Sequence, residues 1–441
     1  MERREMNYSR FINAVSAARR TSPIRALTDL QLKAPPSLIS LATGMPNPNT
    51  FPFLGVSVET RPLHREKLPG PSRLNFDTKT VARMLQYSPT DGIPELIDWF
   101  KQLQTRVHNP PTRKFESTDT EMTVCITTGS QEAISKVFEM LITPGDYVLM
   151  DTPTYPGTLI AVEPLGARVL SVASDAQGMI PADLRRVLSP WSPADARVPA
   201  SGIPRVLCTV PNGGNPTGAS LSTDRKREIY RIAREYDLLI IEDDPYFYLQ
   251  FKKPWSESFL SMDVDGRVIR TDSFSKIISS GLRLGFLTGP KKLVNRVILH
   301  MQTSTMHTST FSQILVYKLL EQWGIDGFLD HVDSVVEFYR SQKDAMVSSA
   351  QKWLTGLAEW DSPQAGMFLW IKLLGVENSR DLIMKKALAK EVLFVPGADF
   401  YPGLDAVSSH LRASFSITSP KLIDMGLQRL AELVRDEVKK A

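Results

Sequence analysis

Apolar positions along this chain recur with two different periods, and the switches between them mark out the elements. The run MTVCIT predicts a strand over 122–127, and the apolar spacing after it predicts a helix over 131–142, together one βα unit. Short apolar runs predict strands over 147–150, 168–172 and 205–210, followed by a helix over 223–236. A fully apolar strand over 238–241 comes next, then two more over 268–271 and 284–288. Continuous apolar strands separated by helices imply a parallel or mixed sheet covered on both faces, since a strand with one wet face would alternate. From Lys291 the period lengthens to that of long amphipathic helices, with Leu315, Leu319 and Leu320 on one face, running toward Trp353. The remainder predicts a strand over 367–372, a helix over 380–389, strands over 393–395 and 411–415, and a closing helix from Pro420, an α+β pattern. Four prolines between 189 and 204 mark a surface loop, and 54–77 shows no clear period.

At 441 residues the chain exceeds the roughly 250 to 300 at which one hydrophobic core stops growing, so two domains are expected. Hydrophobic residues at 42% and a net charge of +4, without long like-charge blocks, give no sign of a membrane span or a nucleic-acid surface. Cys125 and Cys208 each fall inside an apolar strand and read as packing residues. Arginines crowd the first 27 residues among small and apolar ones, the composition of a mitochondrial presequence, although Glu2 and Glu5 are atypical of one. The expected compartment is the mitochondrial matrix, with the cytoplasm as its alternative. The six histidines show no metal-ligand spacing, His300 and His307 read as packing or surface residues, and no metal is expected.

Four segments carry candidate chemistry. In DSFSKIISSGLRLG, 272–285, a lysine lies between serines and seven residues before an arginine. Hydroxyls and a guanidinium bind phosphate there, while the amine remains available for covalent chemistry; an ordinary solvated loop is the simpler reading. PNGGNPTG, 211–218, follows a strand directly and forms a tight irregular loop at its carboxyl end, where open α/β sheets bind ligands. It lacks the GxxxxGK pattern of a P-loop. EDDPYFY, 242–248, ends an apolar strand in consecutive acids, which need cationic partners if buried. TTGSQEAI, 127–134, opens a helix with Gly-Ser after a strand, a setting for phosphate on helix N-terminal amides; for Ser130 alone a plain N-cap is the competing reading.

Taken in order, GSQ, the YPG beginning at Tyr155, NPTG, DDPY and SFSKxxSSGLRLG resemble the fold type I aminotransferases of the class I/II pyridoxal-phosphate-dependent family, over nearly the whole chain. Within it, MNYSRFINAVSAARRTSPIR, GMPNPNTFPF and VDGRVIRTDSFSKIISSGLR are most similar to kynurenine/2-aminoadipate aminotransferases. The resemblance implies an α/β fold, with a mainly parallel sheet sandwiched by helices in a large domain and a smaller α+β domain. It also implies an N-terminal arm and part of the small domain over 1–75, a large cofactor-binding domain over 76–320, and a linking helix with the C-terminal small domain over 321–441.

By the same resemblance, Lys276 carries pyridoxal 5'-phosphate as a Schiff base and then works as general base and acid, while Asp243 faces the pyridine nitrogen. Asn215 and Tyr246 bond the phenolic oxygen and Tyr155 stacks on the ring. Ser130, Gln131, Ser273, Ser275 and Arg283 surround the phosphate, and Arg412 clamps the substrate α-carboxylate. A homodimer is implied, with Tyr87 reaching the partner's phosphate. Gly44, Tyr87, Asn215 and Arg25 belong to the substrate side, Arg25 as a mobile partner for a side-chain carboxylate. The chain departs from the pattern at Thr43-Gly44-Met45, where relatives show a Gly-Gly pair, and over 54–76.

The implied reaction moves the amino group of 2-aminoadipate, kynurenine or related acids of lysine and tryptophan breakdown to 2-oxoglutarate. Its rivals are a β-lyase or a decarboxylating or cyclising enzyme on the same fold, an aromatic-amino-acid aminotransferase, a non-catalytic regulator with a DNA-binding module, and an inactive scaffold. Lys276, Asp243 and Arg412 together argue against the last, and the stretch before the first matched motif is short for an added domain.

Overall fold

The computed structural model describes every residue except 1, 25–26, 28–29, 31–33, 36, 43, 64–70, 116–117, 199–200, 404–405 and 440–441. It divides into two compact units, one of Met1–Thr143 with Leu260–Asp333, the other of Pro144–Phe259 with Ser334–Ala441.

In the first unit the strands Met122–Thr127, Gly285–Pro290 and Val268–Ser273 lie antiparallel, and Gly285 sits opposite both Thr127 and Ser273. The last two strands are buried along their whole length, as their apolar runs require. Helices Pro94–Val107, Ser130–Leu141 and Lys291–Met301 pack on this sheet, the first through Phe100, whose ring stacks on Phe286 at 4.3 Å and Phe274 at 5.3 Å. Strand alternation puts Arg270 and Asp272 on one face, both buried. Arg270 donates to Asp272 from Nε at 2.9 Å and from Nη2 at 2.8 Å, and Gln104 Nε2 adds a third donor at 2.8 Å. A carboxylate at this depth is tolerated because those donors replace its water.

The arginine-rich N-terminal segment is part of this core. Tyr8 and Phe11 are buried, Tyr8 Oη donates to the Gly266 carbonyl at 2.8 Å, and Asn13 Nδ2 donates to the Glu139 and Ile142 carbonyls at 2.8 and 2.7 Å. The aperiodic stretch over 54–77 contains a hairpin, Val56–Thr60 paired with Ser72–Phe76. Its strands do alternate, with Leu74 and Phe76 turned inward, but five residues apiece is too short a pattern to stand out in the sequence.

In the second unit Leu239–Asp243, Val206–Thr209, Tyr147–Thr152 and Arg168–Asp175 run parallel in that order, and Gly178–Met179 adds a short antiparallel edge. The strand expected to end at 241 continues to Asp243, so that acid lies inside the sheet. The same unit holds an antiparallel sheet ordered Ala358–Trp360, Phe368–Leu373, His410–Ser414 and Val395–Pro396. The helix expected over 380–389 is irregular: a turn at Ser379–Asp381, a π-helix at Leu382–Ala387 and a 3-10 turn at Leu388–Lys390. The wider π turn puts the buried Leu382 and Ala387 on one face. Thr310–Leu354 is long, as expected, but broken at Gly324, whose φ is 64°. Among the described residues no helix is long and apolar enough to cross a membrane.

Because Phe11 is 1% exposed, Phe11→Ala should cost about 3–5 kcal/mol of stability in urea denaturation. A loss under about 1 kcal/mol would make the N-terminal segment peripheral to the core.

Candidate functional site

The sequence-predicted residues fall into one constellation in each unit. In the first, the strand Met122–Thr127 turns through Thr128 and Gly129 into the helix Ser130–Leu141, so Ser130 occupies its first position and Gln131, exposed, its second. Gly129 has φ 79°, and a Cβ on it would lie 2.4 Å from Arg283 Nη2, so the guanidinium rests where a side chain would be. Arg283 Nη1 donates to Ser275 Oγ at 3.2 Å and to the Ser280 carbonyl at 3.1 Å, and Nη2 donates to the Thr128 carbonyl at 3.4 Å. Ser273, buried at a strand end, accepts the Ser275 amide on its hydroxyl at 3.2 Å. Lys276 follows on the turn, half-buried. Gly285 closes the group: a Cβ there would meet the Asp272 carbonyl at 2.7 Å and the Ser130 nitrogen at 2.9 Å. Two hydroxyls, a guanidinium and open helix amides make a donor set suited to a phosphate.

Tyr87 stands apart from this group, half-exposed, its ring edge-on to His307 at 5.9 Å. Gly44 is exposed, with nothing within 4 Å of a built Cβ. Arg25 and Thr43 lie outside the described residues.

In the second unit Tyr155 caps the helix Pro156–Val162, and Asn215, Asp243 and Tyr246 are all buried. Burial pushes the Tyr246 phenol well above its ordinary value, and negative Asp243 pushes it further, so it stays a neutral donor at any physiological pH. Arg412 Nη1 donates to Asn215 Oδ1 at 2.8 Å, and its guanidinium lies 4.4 Å over the Phe368 ring and 5.3 Å from that of Phe400. Desolvation lowers its pKa, and its buried Nε has no hydrogen-bond partner among the described residues. A desolvated cation with an unused donor is disposed to take an anion.

Several buried polar groups here escaped sequence reasoning. Asp151 is pushed up to about 7 by burial, with Asp243 adding to the rise, and accepts from Thr209 Oγ1 at 3.3 Å. Asp244, adjacent to Asp243, accepts from Asn212 Nδ2 at 2.8 Å, and the fully buried Lys226 donates to Asn212 Oδ1 at 3.2 Å. The paired acids of EDDPY were the available signal for Asp244; for Lys226, in a run of helix charges, there was none.

The model of the family "Aminotransferase class I and II" matches residues 78–430. The chain belongs to that family. The kynurenine/alpha-aminoadipate aminotransferase, mitochondrial, of Bos taurus is 53% identical over 433 residues, covering 98% of this chain and 100% of the bovine one. Among solved structures, the aminotransferase Aro8 from Candida albicans superposes with TM-score 0.86 at 26% identity, covering 99% of this chain and 100% of that one. The kynurenine aminotransferase of Pyrococcus horikoshii gives 0.74 at 27% identity, covering 98% of each. This aminotransferase therefore has the fold type I architecture, a large domain on a mixed parallel and antiparallel sheet with a smaller antiparallel-sheet domain, and is a transaminase that uses pyridoxal 5'-phosphate. Within the first unit the glycine-lined cradle beneath Arg283 suits a phosphate, and within the second the buried acid Asp243 suits a cationic nitrogen, so the residues present fit that cofactor's groups.

Two outcomes test these features. Gly129→Ala must displace Arg283, so the affinity of the apoprotein for pyridoxal 5'-phosphate, titrated by fluorescence, should fall about ten-fold or more. In the cofactor-free protein Asp151 keeps its proton up to a pH of about 7 while the unfolded chain loses it in the usual carboxylate range, so its contribution to stability is present in acid and lost as pH rises through that window. Asp151→Asn removes this slope, and its stability relative to the parent in urea should rise between about pH 5 and about pH 8. Parallel pH profiles would mean that Asp151 is ionised throughout.

Proposed function

We propose that this aminotransferase transfers the amino group of 2-aminoadipate or kynurenine to 2-oxoglutarate in the mitochondrial matrix, as a homodimer. The observation that carries the reading is Arg412, held by Asn215, desolvated, with Nε unused. Amino donor and oxo-acid acceptor share a carboxylate beside the reacting carbon, and a fixed guanidinium orients both in turn. The named activity and compartment of the bovine, mouse and rat relatives, at 51–53% identity, support the substrate class and the location.

When bound, pyridoxal 5'-phosphate supplies an electrophilic carbon and a ring that accepts electrons. Lys276 would hold the cofactor through its amine, and the same amine, when free, would serve as the general base and acid that moves the substrate Cα proton. Asp243, buried, would face the ring nitrogen and favour its protonated form. Tyr246, kept neutral by its surroundings, would donate to the phenolic oxygen together with Asn215, and Tyr155 would stack on the ring. Ser130, Gln131, Ser273, Ser275 and Arg283 would hold the phosphate. Tyr87, half-exposed, would reach the phosphate of a second copy, and the exposed Ile39, Leu41, Phe53 and Leu54 of the same unit are apolar surface that such a copy would cover. Gly44 lines the substrate side, and Arg25, outside the described residues, is the expected partner of a side-chain carboxylate.

The test is conversion of each donor in the presence and absence of 2-oxoglutarate. Both should require the acceptor, Lys276→Ala should lose about 100-fold or more of the rate, and borohydride should fix the cofactor on the peptide containing Lys276. Arg25→Ala should lower kcat/KM for 2-aminoadipate far more than for kynurenine. Oxo acid and ammonia released without acceptor would instead support a β-lyase, and inactivity toward both donors would overturn the substrate class.

A further inference from the structure

The helix Thr223–Glu235 lies on the second unit with most of its charges in water or in surface ion pairs, such as Arg225 with Asp175. Lys226 is the exception, fully buried. Burying a lysine amine is costly unless its donors are matched, and two of its partners are side-chain oxygens on different segments. One is Ser256 Oγ at 2.8 Å, which in turn donates to the Leu221 carbonyl at 3.1 Å. The other is Asn212 Oδ1 at 3.2 Å, and Asn212 turns its Nδ2 to Asp244 Oδ2 at 2.8 Å.

Asn212 and Asp244 are the sequence neighbours of the two groups that matter most in this unit. Asn212 is fully buried at the start of the loop that carries Asn215, and Asp244 directly follows Asp243. The loop has little freedom to take up a shift. Gly213 N donates to Ser220 Oγ at 2.9 Å, Gly214 N to the Ala219 carbonyl at 2.9 Å and Leu221 N to the Pro211 carbonyl at 2.8 Å. On its outer side backbone meets backbone: a Cβ on Gly213 would lie 2.6 Å from the Ala365 carbonyl carbon and the Gly366 nitrogen, and one on Gly366 2.7 Å from the Gly213 oxygen. Gly366 leads within two residues to Phe368, whose ring lies beneath Arg412.

We propose that Lys226 is a positioning residue that, through Asn212, fixes the spacing between Asn215 and Asp243 and with it the seat of the Asn215–Arg412 pair. This rests on the roles given above to Asn215, Asp243 and Arg412. The amine acts at a distance from substrate and cofactor: with one arm it holds the loop carrying the carboxylate clamp, and through the amide of Asn212 it holds the strand end carrying Asp243. The Ser256 arm ends instead on the carbonyl of Leu221, at the other end of the loop from Asn212.

The decisive comparison is between the two arms. In the full-length holoenzyme, Lys226→Met and Asn212→Leu should each raise KM for the amino donor about ten-fold or more, with a smaller change in kcat. Titration of the corresponding apoproteins should show several-fold weaker binding of pyridoxal 5'-phosphate. The double variant should do no more harm than the worse single one, because both break the same link. Ser256→Ala, which breaks only the other arm, should leave KM and cofactor affinity unchanged whatever it does to the melting temperature. If Lys226→Met shifts melting alone, or if Ser256→Ala raises KM as much as Asn212→Leu, the lysine only holds the helix down and the proposal is overturned. Should Lys226→Met fail to fold, the Asn212→Leu and Ser256→Ala pair decides by the same readouts. Arg412→Ala separates the underlying reading: an unchanged KM there would remove the clamp, and the cofactor titrations alone would then decide for or against Lys226.

Discussion

Charge without water at the carboxyl ends of the strands is the constraint on which the rest of this structure depends. Asp272 and Arg270 in the first unit and Asp243 and Asp244 in the second are all 5% exposed or less, and the Asp151 carboxyl in the parallel sheet of the second unit is desolvated. Each would be expensive alone, and removing one member of a buried ion pair typically costs about 3–5 kcal/mol. The fold answers with specific partners: the Arg270 fork and Gln104 for Asp272, Asn212 for Asp244, a hydroxyl and a retained proton for Asp151. A low-dielectric setting of this kind also gives the site its strength, since an acid kept from water acts strongly on a cation brought against it.

Close packing at glycine is what lets those groups be arranged so tightly. At Gly129 and Gly285 the first turn of a helix, a guanidinium and a strand end share space that one methyl group would fill. At Gly213 and Gly366 two loops touch through their backbones. In both places the missing side chain becomes precision, because nothing flexible lies between the parts and a shift in one must move the other.

The N-terminal segment combines two demands. Its arginines give it the composition expected of a mitochondrial presequence, while Tyr8, Phe11 and Asn13 complete the core of the first unit. Basic side chains that stay at the surface and apolar ones that turn inward can share one short stretch without conflict.

The candidate motifs were legible in the sequence because they are local, and their cofactor roles followed from the family resemblance that those motifs carry. SFSK with the arginine seven residues on, GSQ at a helix start and DDPY at a strand end each state their geometry within a few positions, and the strand and helix periods located them. Asp243 ending a buried strand followed from an apolar run closed by acids. The hairpin over 56–76 did not follow, because its alternation is too brief, and the π-helix at Leu382–Ala387 did not, because its spacing arises from packing. Tertiary structure alone decided the pairings across long separations. Arg412 meets Asn215 over 197 positions, and Lys226 turns inward from a helix run, DRKRE, in which every charged residue reads as solvent-facing. A sequence records which groups are present and their local period, whereas which of them lose water, and so must find each other, is settled only when the chain closes on itself.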